Sequence, residues 1–255
     1  MPATIQTILK PTRARGLDTS GNNNHAQIYS GRGLEFDGVT DYLNSGMTGN
    51  DLTSGGKFTV AGWFYIDGNQ SNTYATVWSI ADWETSSIRG ITMRHVNSGN
   101  DLVIAIGKAG SGTYSSQYIL DDSDNDAFQG IKDSWHRYVV TVDSDASGDT
   151  AATSTILNCY IDGVLVVNED FDSTPTNFQS ENEREFWIGR SYVNASTSYC
   201  SMKASDVQFW NKVWTQDDVT YDYLNPEQLA LNRGGTSLTN SNLKLWYPMN
   251  EGHRG

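Results

Sequence analysis

The feature that most limits what this chain can fold into is the rhythm of its apolar runs. More than ten short runs of apolar, β-branched or aromatic residues follow one another closely, separated by Gly, Asn, Asp and Ser. Residues 58–66, 74–80, 88–95, 102–106, 113–119 and 135–142 are such runs, and 156–161 and 164–167 flank Asp162-Gly163 as the arms of a hairpin. Further runs lie at 185–189, 206–210 and 243–249. Runs this short, with partial two-residue alternation, predict strands. Helix is confined to one or two turns near the C-terminus: Thr215 reads as an N-cap with Asp218 at the capping-box position, and Pro226 opens a second turn. The pattern predicts an all-β fold, an antiparallel two-sheet β-sandwich or jelly roll.

One stretch, residues 33–43, ties the pattern together. Leu34, Phe36, Tyr42 and Leu43 are apolar, Glu35, Asp37 and Asp41 are acidic, and Asp37-Gly38 sits between them. It reads as strand, tight hairpin-type turn, strand, with carboxylates at the tip.

A length of 255 residues suits one large β-domain. The division expected is an N-terminal arm over 1–15 and a sandwich over 16–255. The arm carries the local basic cluster Lys10, Arg13 and Arg15, which suits either a solvated segment or a docking arm for an acidic partner. The chain as a whole has a net charge of −13. Nucleic acid and anionic membranes are therefore unexpected partners, because both need clustered Lys and Arg. No apolar run approaches the ~18 residues of a membrane helix, and the first residues lack the pattern of a secretory signal. The expectation is synthesis in the cytoplasm, or a signal already removed. Cys159 and Cys200 have no metal-site spacing and read as two buried thiols, with a single bridge as the alternative.

Seven segments in order carry a resemblance: 18–25, 34–43, 58–63, 135–142, 160–163, 187–190 and 206–215. Together they resemble the concanavalin A-like lectin/glucanase fold in its laminin-G-like, pentraxin-related branch. The resemblance implies that Trp135 and Trp187 are core residues and that Asp162-Gly163 is a structural hairpin. Domains of that branch often begin with an apolar strand ending in Asn/Asp-Glu-Gly. Here Trp246 to Gly252 places that pattern at the other end, so the strand is expected to close the sheet from the C-terminal side, the alternative being that it opens a second domain.

The resemblance also brings Asp18, Asn22, Asp37, Asp41 and Glu251 to one sheet edge, as a candidate Ca²⁺ site, since hard cations take clustered carboxylate and amide oxygens. The competing role for Asp37 and Asp41 is capping their own turn. The acidic run from Asp121 to Asp126 is a weaker cation candidate. For glycans, Trp78, Trp83, Tyr114 and Tyr118 are the candidate stacking surfaces on the concave face. Core packing competes for each of them, because a β-sandwich buries most of its tryptophans. Glycoside hydrolases of this fold carry Glu-x-Asp-x-x-Glu along one strand. The nearest runs, 168–172 and 181–185, lack that order, so no enzyme is expected. The four His are scattered, and no nucleophile elbow or phosphate loop is present.

Stand-alone chains of this type resemble structural proteins of bacteriophage virions. That implies a non-catalytic capsid-surface or tail component, made in the host cytoplasm and released by lysis. Its partners would be other virion proteins and cell-surface glycans, and a homo-oligomer fits. A secreted carbohydrate-binding module or hydrolase is the alternative.

Overall fold

The short runs become two antiparallel sheets. The computed structural model describes residues 15–16, 26–27, 33–52, 56–82, 89–97, 101–107, 114–120, 131–145, 154–171, 185–191, 198–226 and 228–249. In chain order the strands are β1 (Arg15–Gly16), β2 (Ala26–Gln27), β3 (Leu34–Asp37), β4 (Leu43–Thr48), β5 (Lys57–Ile66), β6 (Tyr74–Asp82), β7 (Arg89–Val96) and β8 (Asp101–Gly107). They continue with β9 (Tyr114–Leu120), β10 (Trp135–Ser144), β11 (Thr155–Ile161), β12 (Val164–Asp170), β13 (Glu185–Ile188), β14 (Ser201–Trp210) and β15 (Leu243–Tyr247). The helices are α1 (Gly49–Leu52) and α2 (Gln216–Leu224), with 3-10 turns at Ala230–Arg233 and Asn240–Asn242. One sheet of the sandwich has seven strands in the order β12-β11-β10-β5-β14-β15, with β3 also paired to β14; the second has six, β4-β13-β6-β7-β8-β9; and β1 and β2 pair with each other apart from both.

Alternation along each strand fills the space between the sheets. Phe58, Val60, Phe64 and Ile66 of β5 meet Trp78 and Ile80 of β6, Ile91 and Met93 of β7, and Phe186 and Ile188 of β13 in one apolar cluster. The outer face of the seven-stranded sheet carries a second cluster. There Ala61, Val139, Tyr160 and Trp210 are covered by Trp214, Val219 of α2, Ala230 and Leu238. The capping box starts α2 as the sequence predicts: Thr215 Oγ1 accepts from the Asp218 N–H, and Asp218 Oδ2 accepts from the Thr215 N–H. The second helical turn is displaced from its expected start. Pro226 lies in a turn, and the 3-10 segment begins at Ala230, which buries itself in the second cluster.

Two expectations are corrected here. The stretch 33–43 is not a hairpin. β3 pairs with β14 in one sheet and β4 with β13 in the other, so the turn carries the chain between sheets. Trp135 is not a core residue: it is half-buried against Tyr65. Trp187 is buried as expected, though alternation with the inward Phe186 and Ile188 turns it to the outer face of its sheet. The closing strand is found as expected: β15 pairs with β14 over Val207–Trp210, while β3 takes Ser201–Ala204.

Between those two stretches lies Asp206, with φ of 47° at a register shift between Ser205 and Gln208. It joins a buried polar cluster. Arg137 of β10 is 1% exposed and donates from Nε and Nη2 to the two carboxylate oxygens of Asp222, at 2.6 and 2.9 Å. Its Nη1 donates to the Asp206 carbonyl at 2.8 Å and lies 3.1 Å from Asp206 Oδ2. Asp206 also accepts from Trp246 Nε1 at 2.6 Å and from Gln208 Nε2. One guanidinium thus fastens α2, β14 and β15 to β10.

Arg137→Met should lower unfolding free energy by about 3–5 kcal/mol in urea denaturation, because two buried carboxylates lose their cation. A second prediction concerns pH. Burial pushes the Asp222 carboxyl up to about 6, against the pull of Arg137. The ordinary value is ~3.9. Between these values the folded state holds more protons than the unfolded one, so this group's contribution to stability is full below the lower value and falls as pH rises through the upper. Asp222→Asn should flatten that part of the stability profile, measured by urea midpoints across the acid range.

Candidate functional site

The most unusual constellation sits on the outer face of the six-stranded sheet, at the edge formed by β4 and β13. It begins with the acidic turn. Asp37 Oδ1 accepts from the backbone N–H groups of Val39, Thr40 and Asp41, at 2.8, 2.7 and 2.9 Å. Its Oδ2 accepts from Thr40 Oγ1, and Asp41 Oδ2 accepts from the Asp37 N–H. Those hydrogen bonds, from the Thr40 N–H first, hold the Asp37 carboxyl far below the usual carboxylate range. The turn so fixed delivers Tyr42 to the sheet edge.

Tyr42 is 44% exposed and stacks on Trp187, with ring centroids 5.0 Å apart and planes 17° from parallel. Trp187 is held between Asn44 of β4 and Ser79 of β6, and its Nε1 donates to Glu185. Gly189 follows at φ of 83°, where a Cβ would lie 2.6 Å from Phe36 Cδ1. Its N–H donates to the Val77 carbonyl, its own carbonyl accepts from the Cys200 N–H, and Ser79 Oγ donates to the Arg190 carbonyl. These bonds fix Arg190. Its Cζ lies 4.9 Å from the Tyr42 ring centroid, 5.0 Å from Trp187 and 4.9 Å from Tyr199. Asn72 Nδ2 donates to both Gly38 O and Tyr199 O, which locks the turn and the third ring together. The result is a guanidinium among three aromatic faces, two of them, on Tyr42 and Tyr199, reaching the surface. Rings of this kind stack on apolar sugar faces, and the cation supplies directed donors.

The glycan candidates named from sequence that the structure describes, Trp78, Tyr114 and Tyr118, fall elsewhere. Trp78 is 1% exposed and packs against Phe186 between the sheets, so the inward phase of β6 removes it from any glycan surface. Tyr114 and Tyr118 lie on β9, opposite Gly107 and Val103, at the far edge of the sheet from β4. Trp83 lies outside the described residues, as do Asp18, Asn22, Glu251 and the run from Asp121 to Asp126. Asp37 and Asp41 serve their own turn through the bonds given above. Among the described residues, no three His, Cys, Asp or Glu side chains converge as metal ligands.

Sequence reading missed a line of three groups on the opposite sheet. Ser134 Oγ lies 2.9 Å from His136 Nε2, and His136 Nδ1 lies 2.6 Å from Asp162 Oδ2. The order is that of a nucleophilic triad. The Ile131 carbonyl, 2.7 Å from Ser134 Oγ, competes with His136 for the hydroxyl proton. Asp162 Oδ1 accepts from the Arg137 N–H. The line clasps the turn before β10 to the β11–β12 hairpin. Cys159 and Cys200 are both free and buried, and burial raises both thiols above their ordinary range.

A family profile of the laminin G type, described as the concanavalin A-like lectin/glucanases superfamily, matches residues 37–220. Among solved structures, the fold is similar to the CBM40 module of a Ruminococcus gnavus IT-sialidase bound to α2,3-sialyllactose. That match has a TM-score of 0.53 and 9% identity over 74% of this chain and 95% of the other. It is also similar to the receptor-binding domain of botulinum neurotoxin D, with a TM-score of 0.50 and 13% identity over 84% of this chain and 53% of that one. No curated relative matches the chain. Both structural likenesses are likenesses of fold.

Gly189→Ala tests whether the site rests on that one backbone conformation. The substitution should cost about 1–3 kcal/mol in urea denaturation, from the left-handed φ. It should also change Trp fluorescence at the Tyr42–Trp187 stack, as Phe36 gives way.

Proposed function

The chain belongs to the concanavalin A-like lectin/glucanases superfamily, and on that premise we propose that it is a non-catalytic glycan-binding component of a virion surface, on capsid or tail. The observation that carries the glycan reading is the Tyr42–Trp187–Arg190–Tyr199 cluster. It places exposed aromatic surface beside an oriented cation on a rigid sheet edge. Sugar recognition needs that pairing, with rings for the apolar ring faces of the sugar and directed donors for its oxygens. Two structures of the same fold with TM-scores of 0.53 and 0.50 are, by their descriptions, binding modules: one holds sialyllactose and the other is a receptor-binding domain.

Three observations support the rest of the reading. The sequence lacks the alternating carboxylate strand that glycoside hydrolysis uses in this fold. A backbone carbonyl 2.7 Å from the Ser134 hydroxyl competes with His136 for its proton. Two buried free thiols fit folding in a reducing compartment and release by lysis better than passage through an oxidising one.

A glycan array carrying sialylated, uronate-bearing and neutral oligosaccharides tests the binding reading. At least one class should bind, and Tyr42→Ala should weaken it about tenfold, in keeping with loss of an aromatic anchor. A silent array would refute it. Co-sedimentation of the chain with purified particles is the expected result for the virion assignment, and its absence from particles would refute that part alone.

A further inference from the structure

Resting on the glycan-binding reading above, we propose that the site selects acidic saccharides, with Arg190 as the group that binds the sugar carboxylate. Donors and acceptors are mismatched at this site. The chain carries 30 Asp and Glu against 17 Lys and Arg, so carboxylates are plentiful. Arg137 is held by Asp222 and Asp206, and Arg233 by Asp217 and Asp218. Among the described residues, Arg190 has no carboxylate. Its side chain touches three ring faces instead, and its Nε is buried with no acceptor.

Ring faces hold a cation in place, but they accept none of its in-plane N–H groups as an oxygen would. A guanidinium has five such donors in a planar fork whose geometry matches a carboxylate in bidentate fashion. Here the fork is already oriented by Tyr42, Trp187 and Tyr199, so little side-chain entropy is lost when a ligand arrives. Tyr42, stacked on Trp187 and 44% exposed, offers its surface to the sugar ring that bears the carboxylate.

The net charge of −13 narrows the ligand further. The field of such a chain repels extended polyanions, while a single carboxylate docked within the ~8 Å screening distance feels mainly the local cation. The ligand is therefore a saccharide with one acidic residue at its contact point, neither a polyanion nor a neutral chain.

The test compares each of three acids with its own methyl ester, by titration calorimetry on the full chain. The probes are cellobiouronate, digalacturonate and 3′-sialyllactose. The ester keeps the ring and removes the charge. At least one acid should bind about 10- to 100-fold tighter than its ester, the worth of a charge-assisted hydrogen-bond pair. Arg190→Gln should bring that acid down to its ester. Arg190→Lys, which keeps the charge without the fork, should recover only part of the difference. Tyr42→Ala should weaken acid and ester alike. If acid and ester bind equally in the wild type, or Arg190→Gln weakens both to the same degree, the acidic assignment is overturned and the glycan reading stands. If all six probes are silent while neutral glycans bind the array, the result is the same. If the array is silent too, the glycan reading itself fails. The wild-type acid-to-ester ratio needs no variant, so a misfolded substitution leaves the question decidable.

Discussion

The rest of the structure depends on one buried cation. Arg137 comes from the middle of the seven-stranded sheet and is enclosed by Asp222 of α2, the carbonyl and carboxylate of Asp206 on β14, and the Trp63 ring. Taking three charges out of water is expensive, and mutual attraction offsets that cost only when geometry and hydrogen bonding are nearly complete. Here they are. Asp222 meets Arg137 in a two-point contact, and Asp206 is shared with Gln208 and Trp246. What the cluster contributes is placement. It fixes α2 over the outer cluster and brings the last strand to β14 at one register.

A smaller polar arrangement does similar work on the other sheet. The Asp37 carboxylate gathers three backbone N–H groups into one turn, and that turn lets the chain leave one sheet and enter the other. Asn72 then bridges this turn to the backbone at Tyr199. The candidate site is thus built from parts that first serve the fold: a cross-sheet turn, a glycine in the left-handed region and an outward-facing tryptophan. The aromatic–cation surface exists because three segments distant in sequence are pinned there by main-chain and amide hydrogen bonds.

The strands were legible in the sequence because each carries its own alternation, and a local pattern needs no knowledge of partners. The α2 start was legible for the same reason, since Thr215 and Asp218 lie within one turn. Longer-range facts were not. Arg137 reads as one more residue of a β-run, and its partners lie 69 and 85 positions away. Trp78 and Trp187 both read as strand tryptophans. Only the phase of each strand, and a bulge between Thr76 and Trp78, decides that the first turns inward and the second outward. For the site, the sequence did hold a signal. Arg190 directly follows Trp187-Ile188-Gly189, and Tyr42 directly follows the acidic turn. Their meeting required knowing that β4 pairs with β13. The Asp37–Asp41 pair reads in two ways from sequence, as cation ligands or as caps of their own turn, and the structure shows them accepting backbone N–H groups of that turn.

The shared edge of β14 has a consequence for how the chain is made. β3 and β15 lie end to end along that strand, one from each end of the described sequence, with Asp206 at their junction. Ribosomal synthesis delivers β3 first, β14 much later and β15 after it. The six-stranded sheet can pair fully without β15, whereas half of the β14 edge stays open until that strand emerges. Long-range pairing of this kind is slow, and an open strand edge invites pairing with other chains. That edge is sealed only when β15 pairs with β14. Until it happens, a crowded pool of nascent chains is at its greatest risk of association.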